Sequence, residues 1–186
     1  PRVRRTRQLL QNALIELLEE KPVESVTVQD IAARAEVNRA TFYAHFEDKN
    51  ALLNYMVRDK FQARLDQKLP TAPALTTENL SLLIGVTCEY IAEFIGHCAP
   101  VRQATEHAVM FIPVQRHLHE TLLVWLRRAG AASPEIVAVS LSWTIWGTAF
   151  QWAREGRKIP RARLTDQLLL LVQGALQSYF SEGVRA

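Results

Sequence analysis

Apolar and polar residues follow a helical period along nearly the whole chain. Near its start, apolar side chains return every three or four positions, at Leu9, Ala13, Leu14, Leu17 and Leu18. Residues at that spacing share one face of an α-helix, whereas alternate residues share one face of a strand. No segment shows a convincing alternation with a period of two. The pattern therefore predicts an all-α protein.

Capping and terminating residues mark where the predicted helices begin and end. Thr27, Asn38 and Asp48 precede helical segments and are of the types that cap helix N-termini. Asp30, three residues after Thr27, completes a pattern similar to a capping box. Glycines that fit helix C-termini and prolines that fit first turns divide the rest, at Gly96, Gly130, Gly156, Pro113 and Pro134. The predicted helices span residues 3–20, 27–35, 38–46, 48–68, 78–96, 101–105, 113–129, 134–155 and 165–180.

A segment rich in proline and threonine, residues 69–77, is the predicted domain boundary. Short helices precede it and mostly longer helices follow it. We expect an N-terminal three-helix domain over residues 1–50 and a connecting fourth helix over residues 48–68. A larger helical domain is expected over residues 69–186.

The segment 25–52 has the pattern of a helix-turn-helix, in which the second of two short helices lies in the major groove of DNA. Phe42 and Phe46 are four residues apart and share the face that would pack on the other helices. Arg39 and Tyr43 share a different face, and the small side chain of Ala40 would allow a close approach to the groove. The predicted outward-facing set is Arg39, Ala40, Thr41, Tyr43 and His45.

These residue types suit contacts with a DNA duplex. Arginine can donate to O6 and N7 of one guanine, and small or methyl-bearing side chains suit the thymine methyl group. Thr27 and Lys49 lie at the starts of two predicted helices, where side chains and main-chain amides can bind phosphate. Each residue also has an ordinary structural explanation: a half-buried aromatic at Tyr43, a turn residue at His45, a solvated cation at Lys49. The compact spacing of the whole set favours DNA binding.

Overall charge adds little to this interpretation. The formal net charge is +3 and the pI is about 9.1, which alone is weak evidence for nucleic-acid binding. Arg2, Arg4, Arg5 and Arg7 open the chain without an acidic residue, which predicts either a basic arm on DNA phosphates or a solvated terminus. No apolar run suits a signal core or a membrane span, so a cytoplasmic protein without a membrane partner is expected.

The segment TVQDIAARAEVNRATFYAHFEDKNALL resembles the DNA-binding domain of the TetR family of bacterial transcriptional regulators. The elements T-V-x-x-I-A, V-N-R-A-T-F-Y-x-H-F and D-K-x-x-L match the family pattern in order and spacing. The resemblance implies that Thr27 and Lys49 contact phosphates and that His45 adds a backbone contact. It further implies that Arg39, Ala40, Thr41 and Tyr43 face the groove. Phe42 and Phe46 would then belong to the core. Asn38, the cap of this helix, is included in the DNA-binding set.

Two residues depart from the family pattern. Glu36 occupies the turn between the two helices, where family members usually carry glycine. If that turn requires a left-handed residue, Glu36 is strained by about 1 kcal/mol. Glu36 also places an acid near the DNA-facing side. Glu47 stands at a turn position that is often proline or neutral in the family, and we expect both departures to affect affinity.

The rest of the chain contains no catalytic constellation, so a binding protein is expected rather than an enzyme. Four histidines lack the spacing of a metal site, and no metal or cofactor is expected: His97, His107, His117 and His119. The two cysteines, Cys88 and Cys98, also lack it and are expected as buried thiols.

The resemblance implies that this larger domain binds a small effector and dimerises. Apolar side chains with a few polar neighbours offer the material for a pocket that suits a small lipophilic ligand. The candidate set is Cys88, Phe94, Gln103, His107, Met110, Phe111, Trp125, Trp143 and Trp146. The alternative is that aromatic residues at helical spacing form only core.

Two predicted helices, around residues 134–155 and 165–180, are apolar on more than one face. Such helices must be buried on more than one side. Small residues that allow close packing lie within them, at Gly147, Ala149, Gly174 and Ala175. We therefore expect a homodimer through a four-helix interface, which would supply the twofold symmetry that a palindromic DNA site requires.

These observations predict a ligand-responsive transcriptional regulator, a repressor that binds a palindromic operator as a homodimer. One alternative is an architectural DNA-binding dimer without an effector. A second is a helical enzyme or protein-interaction module in which the helix-turn-helix is incidental; it predicts little affinity for any duplex.

Overall fold

Helix α1 (Arg2–Glu20) begins the structure, a computed structural model that describes residues 2–97 and 112–181. Its inner face carries Leu10, Leu14 and Leu17, all buried. Leu9, which the sequence pattern placed on this stripe, is instead 42% exposed, because Leu10 rather than Leu9 is in line with Leu14 and Leu17. The four N-terminal arginines do not form an extended arm, because the chain is helical from Arg2 onward.

Proline and capping residues set the boundaries of the next elements. Pro22 precedes a 3₁₀ turn, Val23–Ser25, which sequence analysis did not predict. The α-helices that follow are α2 (Val28–Arg34), α3 (Arg39–Tyr43), α4 (Lys49–Lys68), α5 (Thr77–His97), α6 (Ile112–Arg128), α7 (Pro134–Arg154) and α8 (Arg161–Ser181). The described residues thus form eight α-helices and no strand, which confirms the all-α prediction.

The main errors of boundary prediction lie in the second half. Helix α8 begins at Arg161 rather than Thr165, since the carbonyl of Pro160 accepts a hydrogen bond from Leu164 N at 3.1 Å and opens the helix there. Helix α5 begins at Thr77 and continues through His97, beyond the predicted end at Gly96. The short helix predicted over residues 101–105 lies outside the described residues.

Helix α4 contacts elements on both sides of the predicted boundary. In the N-terminal part, α1 packs on α2 and α4, and α2 packs on α3. In the larger part, α5 packs against α7 and α8, while α6 packs against α7 and α4. The buried apolar residues form one continuous cluster through both parts, which gives a physical route from the helix-turn-helix to the body.

Two helix ends show why glycine stands where it does. Gly130 and Gly156 follow α6 and α7 with φ of 72° and 84°, as predicted for helix C-termini. Within the described ranges, no helix is long and apolar enough to cross a membrane.

Candidate nucleic-acid interface

Side-chain caps position the two short helices. The Thr27 hydroxyl accepts from Asp30 N at 3.1 Å, while Thr27 N donates to Asp30 Oδ2 at 2.9 Å, so the predicted capping box is present. Asn38 Oδ1 accepts from Thr41 N at 2.7 Å and caps α3. Asp48 Oδ1 accepts from Ala51 N at 2.7 Å and caps α4. All three predicted caps are therefore confirmed.

The turn between α2 and α3 places Glu36 in a left-handed backbone conformation, as its departure from the family's glycine led us to consider. Glu36 has a φ of 55°, in the left-handed region. Glu36 N donates to Ala33 O at 3.1 Å and Val37 N donates to Ala32 O at 2.9 Å, which is the Schellman pattern of a helix C-terminus. Glycine adopts this conformation without strain, whereas a glutamate does so at a cost of about 1 kcal/mol.

The exposed face of α3 matches most of the predicted outward-facing set. Phe42 and Phe46 are buried, as predicted, and anchor the helix on the core. Arg39, Ala40 and Tyr43 are exposed, as is Asn38 at the cap. Ala44 is exposed beside them and was not singled out from the sequence, where an alanine gives no chemical signal.

Thr41 and His45 differ from the others because both are half-buried. The Thr41 hydroxyl donates to Asn38 Oδ1 at 2.9 Å, so its hydrogen is committed to the cap and its oxygen remains an acceptor. His45 N donates to Phe42 O at 2.9 Å as the chain leaves the helix. Their roles on DNA stay predictions.

Arg39 and Tyr43 form a single unit on the exposed face. The Arg39 guanidinium carbon lies 5.9 Å from the centroid of the Tyr43 ring, within cation–π range. The Tyr43 ring is 49% exposed and stands edge-on to Phe42 at a centroid distance of 5.5 Å. The buried Phe42 therefore supports the ring that the arginine covers, which orients both side chains before any contact with DNA.

Lys49 has a role that sequence analysis missed. Its ammonium donates to the carbonyls of Val23, Glu24 and Val26 at 2.8, 2.9 and 2.8 Å. An ammonium has three hydrogens, so all of its donors are taken. In this structure Lys49 ties the 3₁₀ turn to the start of α4 rather than offering a free donor to phosphate. The phosphate contact stays a prediction.

Salt bridges hold α2 against α1. Arg34 Nη2 lies 2.8 Å from Glu20 Oε1, and Arg34 Nη1 lies 3.3 Å from Glu16 Oε2. Lys21 Nζ lies 2.8 Å from Asp30 Oδ2. The bond from Lys21, followed by the bonds from Thr27, lowers the pKa of Asp30 from 3.8 to about 2. The carboxylate of the capping box is thus ionised throughout the neutral range.

Arg7 also serves the fold rather than a basic arm. It is half-buried, and its guanidinium carbon lies 5.1 Å from the centroid of the Tyr55 ring and 5.7 Å from that of Phe46. Arg4 and Arg5 are exposed on α1.

The described effector candidates do not converge on one cavity. Phe94 lines a cavity of about 250 Å³ between α1, α4 and α5. Trp125 lines a different cavity of about 510 Å³ between the end of α4, the segment after it and α6. Cys88 is fully buried, and this burial raises the pKa of its thiol to about 12. Gln103, His107, Met110 and Phe111, like Cys98, lie outside the described residues.

Trp143 and Trp146 occupy a third place, on α7. Their rings meet edge-on at 5.3 Å, and Trp146 stacks on Phe150 at 5.1 Å with an interplanar angle of 7°. Trp143 is 45% exposed. Helical spacing alone did not show which of these aromatic side chains would be exposed, because their exposure depends on how α5 packs against α7.

The outer faces of α7 and α8 carry exposed apolar side chains. Ile136 and Val139 of α7 are 61% and 40% exposed, and Leu170 and Leu171 of α8 are 70% and 55% exposed. Together with Trp143 we call them the α7–α8 face, and the two helices that carry them contact each other. Isolated apolar residues on a surface are ordinary, whereas several on two neighbouring helices favour an interface.

Among the residues that the structure describes, no group of three His, Cys, Asp or Glu side chains could hold a metal ion.

Comparison with known proteins agrees with this geometry. Residues 10–56 match the family model described as "Bacterial regulatory proteins, tetR family". A curated protein of Bacillus subtilis strain 168, the uncharacterized HTH-type transcriptional regulator YxbF, is 41% identical over 58 residues. That match covers 31% of this chain and 15% of the relative, so the chain spans only a small part of that relative's length.

Solved structures share the fold over nearly the full length. A TetR transcriptional regulator from Streptococcus agalactiae 2603V has a TM-score of 0.60 at 22% identity, covering 92% of this chain and 95% of that one. The transcriptional regulator FadR from Bacillus subtilis, solved in complex with stearoyl-CoA, has a TM-score of 0.55 at 17% identity, covering 89% and 96%.

Proposed function

We propose that this chain, whose residues 10–56 match the TetR family model, is a TetR-family repressor that binds a palindromic operator as a homodimer. A small, mainly apolar effector would change its affinity for DNA. The observation that carries the proposal is the exposed Arg39–Tyr43 unit on a helix held by its own cap and by the buried Phe42. A preoriented arginine beside small side chains suits the edges of base pairs in the major groove.

The α7–α8 face supports the dimer. It exposes apolar side chains on two long helices of the body, and an isologous pairing of two copies would cover both sets at once. A twofold axis there would present two α3 helices to two half-sites of one operator.

Effector control requires that the ligand bind one state of the dimer more tightly than the other. The two cavities described above supply candidate sites, and the Bacillus subtilis FadR complex makes an acyl-CoA a reasonable compound to test. Repression is relieved if bound ligand disfavours the spacing of the two α3 helices that fits the operator.

Selection from random DNA duplexes tests the DNA-binding part of the proposal. We expect enrichment of a twofold-symmetric site and an affinity that falls steeply with salt. Tyr43→Ala should weaken binding to that site about tenfold without changing the oligomeric state. Failure to enrich a symmetric site, together with weak salt dependence, would exclude the proposal.

A thermal-shift screen, followed by operator binding in the presence of each stabilising compound, tests effector control. A compound that stabilises the protein and weakens operator binding supports a repressor released by ligand. If no compound of any class changes DNA affinity, the protein is an architectural DNA-binding dimer.

A further inference from the structure

The cavity of about 250 Å³ lies between the DNA-binding part and the body. Its apolar lining comes from Ile15 and Leu18 of α1, Met56 of α4, and Tyr90 and Phe94 of α5. Two acidic and two basic side chains also line it: Glu19, Glu93, Lys60 and Arg64. A cavity of this size accepts a short alkyl chain rather than a large ring system.

Two cationic side chains of α4 line this cavity, and only one of them forms a salt bridge within residues 2–97 and 112–181. Arg64 forms a salt bridge with Glu93, and its guanidinium carbon lies 5.4 Å from the centroid of the Tyr90 ring. Lys60, one turn earlier on the same face, has no ion-pair partner anywhere in ranges 2–97 and 112–181. Lys60 is exposed to solvent, and partial desolvation of its ammonium, followed by the positive charge of Arg64, lowers its pKa.

An anion placed beside Lys60 would meet a cation that forms no salt bridge within residues 2–97 and 112–181. A charge-assisted hydrogen bond to a carboxylate is among the stronger contacts that an ammonium can make. Glu19 also reaches the cavity from α1, but no salt bridge joins it to Lys60, so the Lys60 side remains the favourable position for a negative head group.

We infer that this cavity binds a short-chain or medium-chain alkyl carboxylate, with the carboxylate on Lys60 and the alkyl chain against Ile15, Leu18 and Phe94. This site differs from the aromatic set predicted from the sequence, of which only Phe94 lines it. Each methylene group that enters the cavity should strengthen binding about fourfold, so affinity should rise with chain length until the cavity is full.

The position of the cavity links the ligand to DNA binding, a step that rests on the proposed function. Helix α1 carries the core leucines of the helix-turn-helix, and the same helix forms a wall of the cavity. A ligand wedged between α1 and α5 would favour one placement of the helix-turn-helix on the body over another.

Isothermal titration of the DNA-free, full-length protein with octanoate tests the site directly. We expect Lys60→Met to weaken octanoate binding about tenfold, the loss expected for one charge-assisted hydrogen bond. Lys158→Met is the matched control, because it removes the same charge from an exposed lysine outside the cavity, and it should leave binding unchanged.

Octanol separates the head group from the chain. It should bind the unmodified protein about tenfold more weakly than octanoate, and Lys60→Met should not weaken it further. Leu18→Trp, which fills the cavity from α1, should abolish binding of both compounds while the protein retains a cooperative unfolding transition. Equal binding of octanoate by the unmodified protein and Lys60→Met would overturn the assignment, as would undiminished binding by a folded Leu18→Trp variant.

Operator binding with and without octanoate separates this inference from the proposed function. Octanoate that binds through Lys60 and leaves DNA affinity unchanged would retain the site and overturn its role in regulation. A protein that binds its operator but not octanoate would retain the proposed function and overturn the site.

Discussion

Glu36 combines a strained backbone conformation with a negative charge at the turn before α3. Its φ of 55° is in the region that favours glycine, and its carboxylate is exposed at the turn that precedes the reading helix. The first property costs stability through steric strain, and we expect the second to reduce DNA affinity through repulsion from phosphates.

Two substitutions separate these effects. Glu36→Gly should raise the free energy of unfolding by about 1 kcal/mol, because it removes the strain, and should also strengthen operator binding. Glu36→Gln keeps the strain and removes only the charge, so stability should stay unchanged while operator affinity rises. Urea unfolding and fluorescence anisotropy measure the two quantities. An unchanged affinity for Glu36→Gln would show that the carboxylate lies too far from DNA to matter.

His117 gives the body a dependence on pH. It is 8% exposed, and its ring stands edge-on to Phe61 at 5.6 Å. Its Nδ1 is buried and has no hydrogen-bond partner among residues 2–97 and 112–181. Burial, and then the charge of Arg58, lower the pKa of His117 below 6.5, while Glu120 and Asp66 partly oppose that shift. The folded protein therefore holds a neutral imidazole where the unfolded chain would bind a proton.

The sign of the resulting effect follows from proton linkage. Between the lowered pKa of the folded state and about 6.5, the unfolded chain binds more protons, so the free energy of unfolding falls as pH decreases through this window. Above the window His117 has no such cost. His117→Leu should flatten the loss of stability between about pH 7.5 and about pH 5.5, measured by urea unfolding. His119→Leu, on the same helix, should keep the slope of the unmodified protein.

At the scale of elements, Lys49 joins two segments that are distant in sequence. Its three bonds to the carbonyls of the 3₁₀ turn fix the start of α4 relative to the end of α1. This arrangement competes with the phosphate contact that the family resemblance implies, and the two roles predict different measurements.

Lys49→Met distinguishes them. Loss of the positioning role should lower the free energy of unfolding by about 2 kcal/mol and leave the salt dependence of operator binding unchanged. Loss of a phosphate contact should instead leave stability nearly unchanged and reduce the salt slope by about one unit. We expect the first result. A reduced slope at unchanged stability would return Lys49 to the DNA contacts.

The same scale shows why the sequence predicted some features and not others. The caps at Thr27, Asn38 and Asp48 depend on hydrogen bonds that span three residues, and capping residue types can be recognised in the sequence. The partners of Lys49 lie 23 to 26 residues away, in a turn without a distinctive motif. Nothing local to a lysine reveals which carbonyls tertiary packing will bring to it.

At the scale of the whole molecule, periodicity predicted an all-α protein with long, apolar C-terminal helices, because that signal depends only on the spacing of side chains. It did not predict which aromatic residues share a cavity. Phe94 and Trp125 line different cavities and Trp143 reaches the surface, since these outcomes depend on how α5, α6 and α7 are rotated against one another.

The α7–α8 face sets the last prediction, which concerns assembly. A Cβ placed on Gly147 would meet no atom within 4 Å, so a single protomer should tolerate a larger side chain there. Trp143 lies one turn before Gly147 on the same face, so a charged side chain at that position would enter the proposed interface. Gly147→Arg should therefore shift the protein to monomers in analytical ultracentrifugation while a cooperative unfolding transition remains.

Loss of the dimer should carry a large loss of operator binding, because each monomer then binds only one half-site. Joining two half-site contacts strengthens binding by about a hundredfold or more, so Gly147→Arg should weaken operator binding by a similar factor. Val124→Arg is the matched control, since Val124 is 46% exposed and belongs to α6 rather than to α7 or α8. It should leave both assembly and DNA binding unchanged. A Gly147→Arg protein that remained dimeric and kept its operator affinity would place the interface elsewhere, and the exposed leucines of α8 would then need another partner.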